Sequence, residues 1–342
     1  MELNSIHLHS QSTSFYGCHL VLAALSEVGK CFFKVWGCRG SIPAPATLDF
    51  DTRRYGGQTT CFEIRTRCQG VEKLSIIDMG TAIKALGDHL IGQLKRGEIN
   101  RINARAFITH IHLEHNFGMG FSSPLFITGQ MIEFFALEMP AAIRDFNNQL
   151  ASLIDGIRFP RHPDQLPSIA SNNENGKTIH DVKFWEILDF ETVRVKVFEL
   201  NHPSGCAGWH FRERAPDGTY TGPVIGIGTN TEHFSITNPN VQNLSRDADF
   251  LILDGMYEEN QYYGTTPDRT NSKIGWGHST PRASVREVSE CGAKRLGITH
   301  HDPDHDDRQL SKMEARVRRY NRRLKKPVPE VFFLREGMSI DM

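Results

Sequence analysis

Apolar and polar positions along the chain fall into short runs that predict alternating strands and helices. Phe32-Phe33-Lys34-Val35-Trp36 reads as a strand that stops at Gly37-Cys38-Arg39-Gly40, and Pro43 and Pro45 mark the loop beyond it. Residues 60–66 alternate as a second strand. Residues 74–77 are a short apolar run closed by Asp78-Met79-Gly80-Thr81, and residues 83–94 have helical spacing. Residues 104–109 form another apolar run that leads directly into His110. Residues 122–154 mix both periodicities, and the polar stretch 160–180, with Pro163 and Pro167, predicts a surface excursion. Strands are then expected at 193–199, 224–228, 250–253 and 295–298, ending at Asn201-His202-Pro203, Thr229-Asn230-Thr231, Asp254 and Thr299-His300-His301. Helices are expected at 283–291 and 309–325, the latter basic, with a closing strand or tail at 331–342. Residues 1–30 carry no clear pattern and read as an N-terminal extension to a single domain, 31–342.

One feature recurs: short apolar strands that each end in His, Asp or Asn. In α/β sandwiches strand tips gather at one edge of the sheets, where ligands bind, so polar residues from distant parts of the chain can converge there. With 342 residues and 39% hydrophobic content the chain can bury a large core. Lys plus Arg total 39 against 40 Asp plus Glu, so net charge gives no global drive toward nucleic acid or an anionic membrane. The seven Cys (18, 31, 38, 61, 68, 206 and 291) show no CxxC pairing, which fits a reducing compartment better than a disulfide framework. The most apolar early segment, residues 20–25, is too short to span a bilayer, and the N-terminus lacks the basic-then-apolar order of a signal peptide. The expected location is the cytoplasm, with no membrane association.

Sixteen His are many for this length, and three of them, with a Glu, crowd into Thr109-His110-Ile111-His112-Leu113-Glu114-His115. Neutral imidazoles and a carboxylate bind borderline divalent metals such as zinc. If the strand continued, alternation would put His110 and His112 on one side, and a tight loop could bring Glu114 and His115 back to the same point. For a lone His the ordinary reading is a surface residue. Four metal-competent side chains directly after an apolar strand argue for a site.

At this point the chain resembles a known family. Thr109-His110-x-His112-x-Glu114-His115 resembles the Thr-His-x-His-x-Asp-His signature of the metallo-β-lactamase superfamily. Trp36-Gly37-Cys38-Arg39-Gly40-Ser41-Ile42-Pro43 and Tyr55-Gly56-Gly57-Gln58-Thr59-Thr60-Cys61 resemble the opening of a bacterial phosphodiesterase-like subgroup. Ile77-Asp78-Met79-Gly80-Thr81, His202-Pro203, Gly228-Thr229-Asn230-Thr231-Glu232-His233, Gly275-Trp276-Gly277-His278-Ser279-Thr280 and Thr299-His300-His301-Asp302-Pro303 resemble later motifs in the family's order. The resemblance implies an αββα sandwich, with two central mixed β-sheets flanked by helices. It also implies that His110, His112 and His202 hold one metal and that Glu114, His115 and His300 hold a second, with position 230 bridging and His301 as the fallback for His300. Asp78 would orient a ligating imidazole from behind. The Gly-His-Ser-Thr segment is similar to an element of the transfer-RNA 3′-processing endonucleases of this superfamily. This implies that His278 contacts the scissile phosphate and helps protonate the leaving oxygen, while Ser279 could cap the helix that follows.

Two positions depart from the family's pattern. Glu114 stands where the family has Asp, and Asn230 stands where it has the bridging Asp. Both fall on the second metal or the bridge, so that site is expected to be weak, selective for another metal, or empty. The expected cofactor is therefore one or two divalent ions, zinc first, with manganese or iron as alternatives. The catalytic candidates are His278, Glu114 and Asp78. The leading function is a metal-dependent phosphodiesterase acting on a small or cyclic-nucleotide phosphodiester. An RNA- or DNA-processing nuclease is one alternative, and the basic run Arg316–Lys326 would serve it only by facing the metal site. A catalytically weakened nucleotide-binding protein is the other. A homodimer is compatible with all three.

Overall fold

Period-two burial builds the first sheet. In β1 (Phe32–Gly37) the buried positions are Phe33, Val35 and Gly37, with half-buried residues between them. β2 (Cys61–Cys68) and β3 (Val71–Ile77) follow as an antiparallel hairpin. β4 (Asn103–Phe107), β5 (Met131–Leu137) and β6 (Ile179–Val182) then add in parallel. The second sheet holds β7 (Ile187–Asp189), β8 (Val193–Leu200), β9 (Cys206–Glu213), β10 (Val224–Gly228), β11 (Phe250–Asp254), β12 (Arg295–Thr299) and β13 (Glu330–Phe333). β14 (Ser339–Asp341) returns to the first sheet against β1. The strand orders are 14-1-2-3-4-5-6 and 13-12-11-10-9-8-7, and each sheet mixes antiparallel and parallel pairs. This computed structural model describes residues 31–138, 150, 152–157, 159–162, 165–170, 178–234, 238–266 and 271–342. The expected extension 1–30 and residues 163–164 and 171–177 of the expected surface excursion lie outside them.

The two sheets face each other across one aromatic and aliphatic core. Phe107 is its hub, with ring centroids 5.2 Å from Trp209, 5.1 Å from Phe211 and 5.0 Å from Phe135. The outer face of the first sheet is covered by α1 (Ile83–Lys95), through Ile83, Leu86 and Leu90. The outer face of the second is covered by α2 (Pro239–Ser245), α3 (Pro281–Cys291) and α4 (Asp307–Asn321). These are the four layers of the expected αββα sandwich with mixed sheets. Burying apolar side chains on both faces of both sheets is what holds the strand tips in register.

Several boundaries differ from the sequence reading. α3 starts at Pro281 because Thr280 is its cap, accepting from the Ala283 amide at 3.2 Å, while the Ser279 hydroxyl instead donates to the Thr231 carbonyl at 2.6 Å. α4 runs from Asp307, capped by Asp306, and stops at Asn321, whose side chain bonds both backbone groups of Val328 and turns the chain into β13. The expected closing segment 331–342 is two strands on different sheets, separated by a turn with Gly337 at positive φ. β9 carries no alternation to read because seven of its eight residues are buried. Among the described residues no helix is long and apolar enough to cross a membrane.

Candidate metal centre

The site forms where co-oriented strands end. Asp78 follows β3, His110 follows β4, His202 follows β8, Asn230 follows β10, Asp254 closes β11 and His300 follows β12. β4 does not run on to Thr109 as the sequence suggested. The strand ends at Phe107, and the chain passes through 108–112 into a single helical turn, Leu113–Asn116, with His112 extended at φ −63°, ψ 147° just before it. The turn therefore brings Glu114 and His115 back toward His110. Asn116 secures the arrangement, its amide donating to the carbonyls of His110 and His112, both at 3.1 Å. Sequence reasoning assigned nothing to Asn116.

His110, His112 and His202 meet. Their ring centroids are 4.5 Å apart for His110 with His112 and for His110 with His202, and 4.9 Å for His112 with His202. One potential ligand atom from each lies within 4.8 Å of the others, and the same holds for His110, Glu114 and His115. On the other side His115 and His300 stack at 5.6 Å with an interplanar angle of 7°. Glu114 Oε1 stands 3.8 Å from Nε2 of His115 and 3.8 Å from Nε2 of His300. The six side chains assigned to two metals are thus contiguous. His301 is not among them: it is buried, donates from Nε2 to the Leu334 carbonyl at 2.9 Å and stacks on Phe333.

Asp78 is buried behind this cluster. It accepts from the Thr109 amide at 2.8 Å, from the Thr109 hydroxyl, and from Nδ1 of His115 at 2.6 Å. His115 is left with Nε2 pointing into the site. Asn230 Nδ2 lies 3.2 Å from His300 Nε2, while its Oδ1 is buried without a partner. Turning that amide over would present the oxygen to the site instead. Asp254, which the sequence reading named as a strand end, accepts from Nδ1 of His278 at 2.8 Å and from the amides of Met256 and Ser279. His278 stacks on His300 at 4.7 Å. Tyr257 is buried, 5.9 Å from the His278 ring, whereas Trp276 is 53% exposed at the rim beneath Lys273. Most carboxylates of the 299–307 loop are structural: Asp306 caps α4 and Asp307 accepts the amides of Arg54 and Tyr55. Arg316, Arg319 and Arg323 line a cleft of about 320 Å³ together with Glu258, Glu259 and Arg282, between α4 and the start of α3.

Burial pushes the imidazoles of His110 and His300 well below the usual histidine range and takes His202 to about 3. Burial also lowers His112. It pulls on His115 too, but the Asp78 charge and hydrogen bond outweigh it and raise that ring. Neutral imidazoles keep a lone pair for a cation. Nε2 of His110, His115 and His202 are all buried with no hydrogen-bond partner, and an orphaned buried nitrogen is costly. His110 and His202 belong to one close group of potential ligands and His115, beside Glu114, to the other, and orphaned nitrogens in both fit divalent metal.

No known family model matches the sequence, and no curated protein matches it either. Solved structures do. A metallo-β-lactamase-fold protein from Bacillus subtilis aligns over 92% of this chain and 100% of its own, with a TM-score of 0.57 at 14% identity. The chain has the metallo-β-lactamase fold. The short form of human tRNase Z shares that fold over 90% of this chain and 98% of its own, with a TM-score of 0.52 at 22% identity. Zinc-bound PqqB from Methylobacterium extorquens covers 91% of this chain and 100% of its own, with a TM-score of 0.56 at 13% identity. A diphosphatase of the PhnP family also matches. Metal-binding proteins are therefore among the structures similar to this metallo-β-lactamase-fold chain.

Proposed function

We propose that the protein is a metal-dependent phosphodiesterase acting on a small phosphodiester, a cyclic nucleotide among the candidates. The observation that carries this reading is the pairing of Asp254 with His278 beside the imidazole cluster. With Nδ1 donating to Asp254 at 2.8 Å, a His278 that also carries a proton on Nε2, as the imidazolium, can pass that second proton to a leaving oxygen and remain as the neutral ring on Asp254. His110, His112 and His202 would hold one ion, and Glu114, His115 and His300 a second. The donor set suits zinc, with manganese or iron as alternatives. A divalent ion there supplies Lewis acidity, offsetting charge on phosphoryl oxygens and bringing water deprotonation toward neutral pH. The rest belongs to the chain: Asp78 fixes the His115 tautomer, Asp254 orients His278, and the buried Tyr257 packs beside the His278 ring. The similar structures support the reading by including a diphosphatase and a tRNase Z.

The assay supplies Mn²⁺, Zn²⁺ or Fe²⁺ with a bis-aryl phosphodiester, then cyclic nucleotides, then short RNA. Turnover abolished by His112→Ala is the expected result. RNA as the best substrate would favour a nuclease instead. Silence with every metal, together with tight nucleotide binding, would replace the enzyme with a binding protein.

That last alternative draws on one observation, a neutral Asn230 side chain 3.2 Å from His300 where the resemblance expects a bridging carboxylate. Asn230→Asp is expected to raise affinity for a second ion by about 10–100-fold, the scale of changes around a metal ligand, and the rate with it. Two tightly held ions in the natural protein and no change in the variant would refute this.

A further inference from the structure

The loop that carries His278 is held by a carboxylate to which nothing so far gives a role. Glu232 is 7% exposed. One of its oxygens accepts the Tyr262 hydroxyl at 2.6 Å and the Gly275 amide at 2.7 Å, and the other accepts the Gly277 amide at 3.0 Å. All three donors are neutral. Glu, Asp and Lys are almost never buried without partners, and a carboxylate that receives two backbone amides of one loop fixes that loop's conformation.

The backbone of Glu232 is tied just as closely. Its amide donates to the Asn201 carbonyl at 2.8 Å, and the Asn201 side chain donates back to the Glu232 carbonyl at 3.1 Å. Asn201 immediately precedes His202, and Glu232 stands two residues after Asn230. Gly277 has φ 84° and lies against His202, so that a Cβ there would overlap the His202 ring. The adjoining Ser279 hydroxyl bonds the Thr231 carbonyl at 2.6 Å. One residue therefore connects the segment of His202, the segment of Asn230 and the loop of His278.

We propose that Glu232 is a positioning residue that clamps the 272–278 loop, setting the distance between His278 and the imidazole cluster. This rests on the reading of His278 as the proton donor to the leaving oxygen. Glutamine at this position keeps one acceptor oxygen and loses the other, so Glu232→Gln removes at least one amide bond while preserving volume. Truncation in Glu232→Ala removes all three.

Two measurements test it. The first is amide hydrogen exchange on the intact protein, followed in peptides covering 272–278. The Gly275 and Gly277 amides are expected to be protected in the natural protein, and exchange in this segment alone to quicken in both variants. Unchanged exchange would overturn the clamp whatever the activity. The second compares a nitrophenyl phosphodiester with an alkyl phosphodiester. A nitrophenolate leaves without a proton and an alkoxide needs one, so misplacing the donor should spare the first substrate. Glu232→Gln is expected to lose about 10–100-fold in kcat on the alkyl ester, in line with the scale for a misplaced catalytic group. It should lose less than about 3-fold on the nitrophenyl ester, with KM unchanged. Equal losses on both esters would mean that Glu232 is merely structural. If the natural protein cleaves neither ester, the phosphodiesterase reading fails, and the exchange result still decides whether the clamp exists.

Discussion

Arg39 offers the sharpest test of how the sandwich holds the site. It is fully buried, and its guanidinium donates from Nε to the Gly56 carbonyl at 2.7 Å and from Nη1 to the carbonyls of Asp302 at 2.8 Å and His305 at 2.7 Å. Those carbonyls belong to the loop after β1 and to the loop after His300, so one side chain pins both. Arg39→Met keeps the apolar stem and approximate volume and leaves three carbonyls unsatisfied. Hydrogen bonds from a charged donor contribute about 1.5–3 kcal/mol each. Against their sum stands the desolvation cost of several kcal/mol that the buried guanidinium no longer incurs. The net loss expected is about 3–5 kcal/mol. Equilibrium urea unfolding, followed by fluorescence and circular dichroism together, should show the midpoint falling by about 1–2 M if m is about 3 kcal/mol per M. Arg39→Lys should fare little better, because a point charge cannot reproduce a fork spanning three acceptors. A midpoint shift below about 0.3 M, or recovery of more than half the loss by lysine, would refute the reasoning.

Two further outcomes follow from the site itself. Asp78→Ala removes the acceptor that orients His115 and should weaken metal binding by about 10–100-fold in competition with a chelator, with Asp78→Asn, which keeps one acceptor oxygen, losing less; unchanged affinity in Asp78→Ala would mean that orienting His115 does not contribute to metal binding. In metal-free protein, His202 has a folded-state value of about 3, below the unfolded value of about 6.5. The unfolded chain therefore binds the extra proton, and stability present above about pH 6.5 is lost as pH falls toward the folded value. Urea midpoints at pH 7.5 and pH 5 should differ, and His202→Ala should narrow the difference; an unaltered difference would remove His202 from the account.

The strand tips were legible because each short apolar run ends in a residue that no core would accept. The 224–228 run matches β10, Val224–Gly228, since five consecutive buried positions read as a strand once bounded by turn residues. The metal-ligand candidates were legible for the same reason, clustered His being hard to place anywhere else. The end of β4 was misread, at Thr109 rather than Phe107: periodicity cannot report where a chain leaves a sheet to start a helical turn. Arg39, Asn116 and Glu232 gave no individual signal. Each is of a type usually solvated, and only their burial against particular carbonyls and amides gives them work, which no local pattern encodes. The run 316–326 was legible as charge alone, and its helix ends early through a pairing between Asn321 and Val328 that spans seven residues.

Backbone strain shows why those supporting residues matter. Asp78 and His300 have φ 58° and φ 60°, in the left-handed region that non-glycine residues rarely occupy. Such conformations cost of order 1–3 kcal/mol each and persist only when the surroundings over-determine them. Around Asp78 the surroundings are the Thr109 amide and hydroxyl, the His115 ring and its own amide donating to the Phe107 carbonyl at 3.1 Å. Around His300 they are Gly40, where a Cβ would overlap the imidazole, and the ladder of Gly40 to the His301 carbonyl and His301 to the Cys38 carbonyl, each at 3.0 Å. Arg39 sits inside that ladder. The strained pair faces the site from opposite sheets, so the separation of His115 from His300 is set by the packing of the two sheets and by the contacts behind each residue. Across that separation Glu114, one methylene longer than aspartate, places Oε1 3.8 Å from Nε2 of both rings.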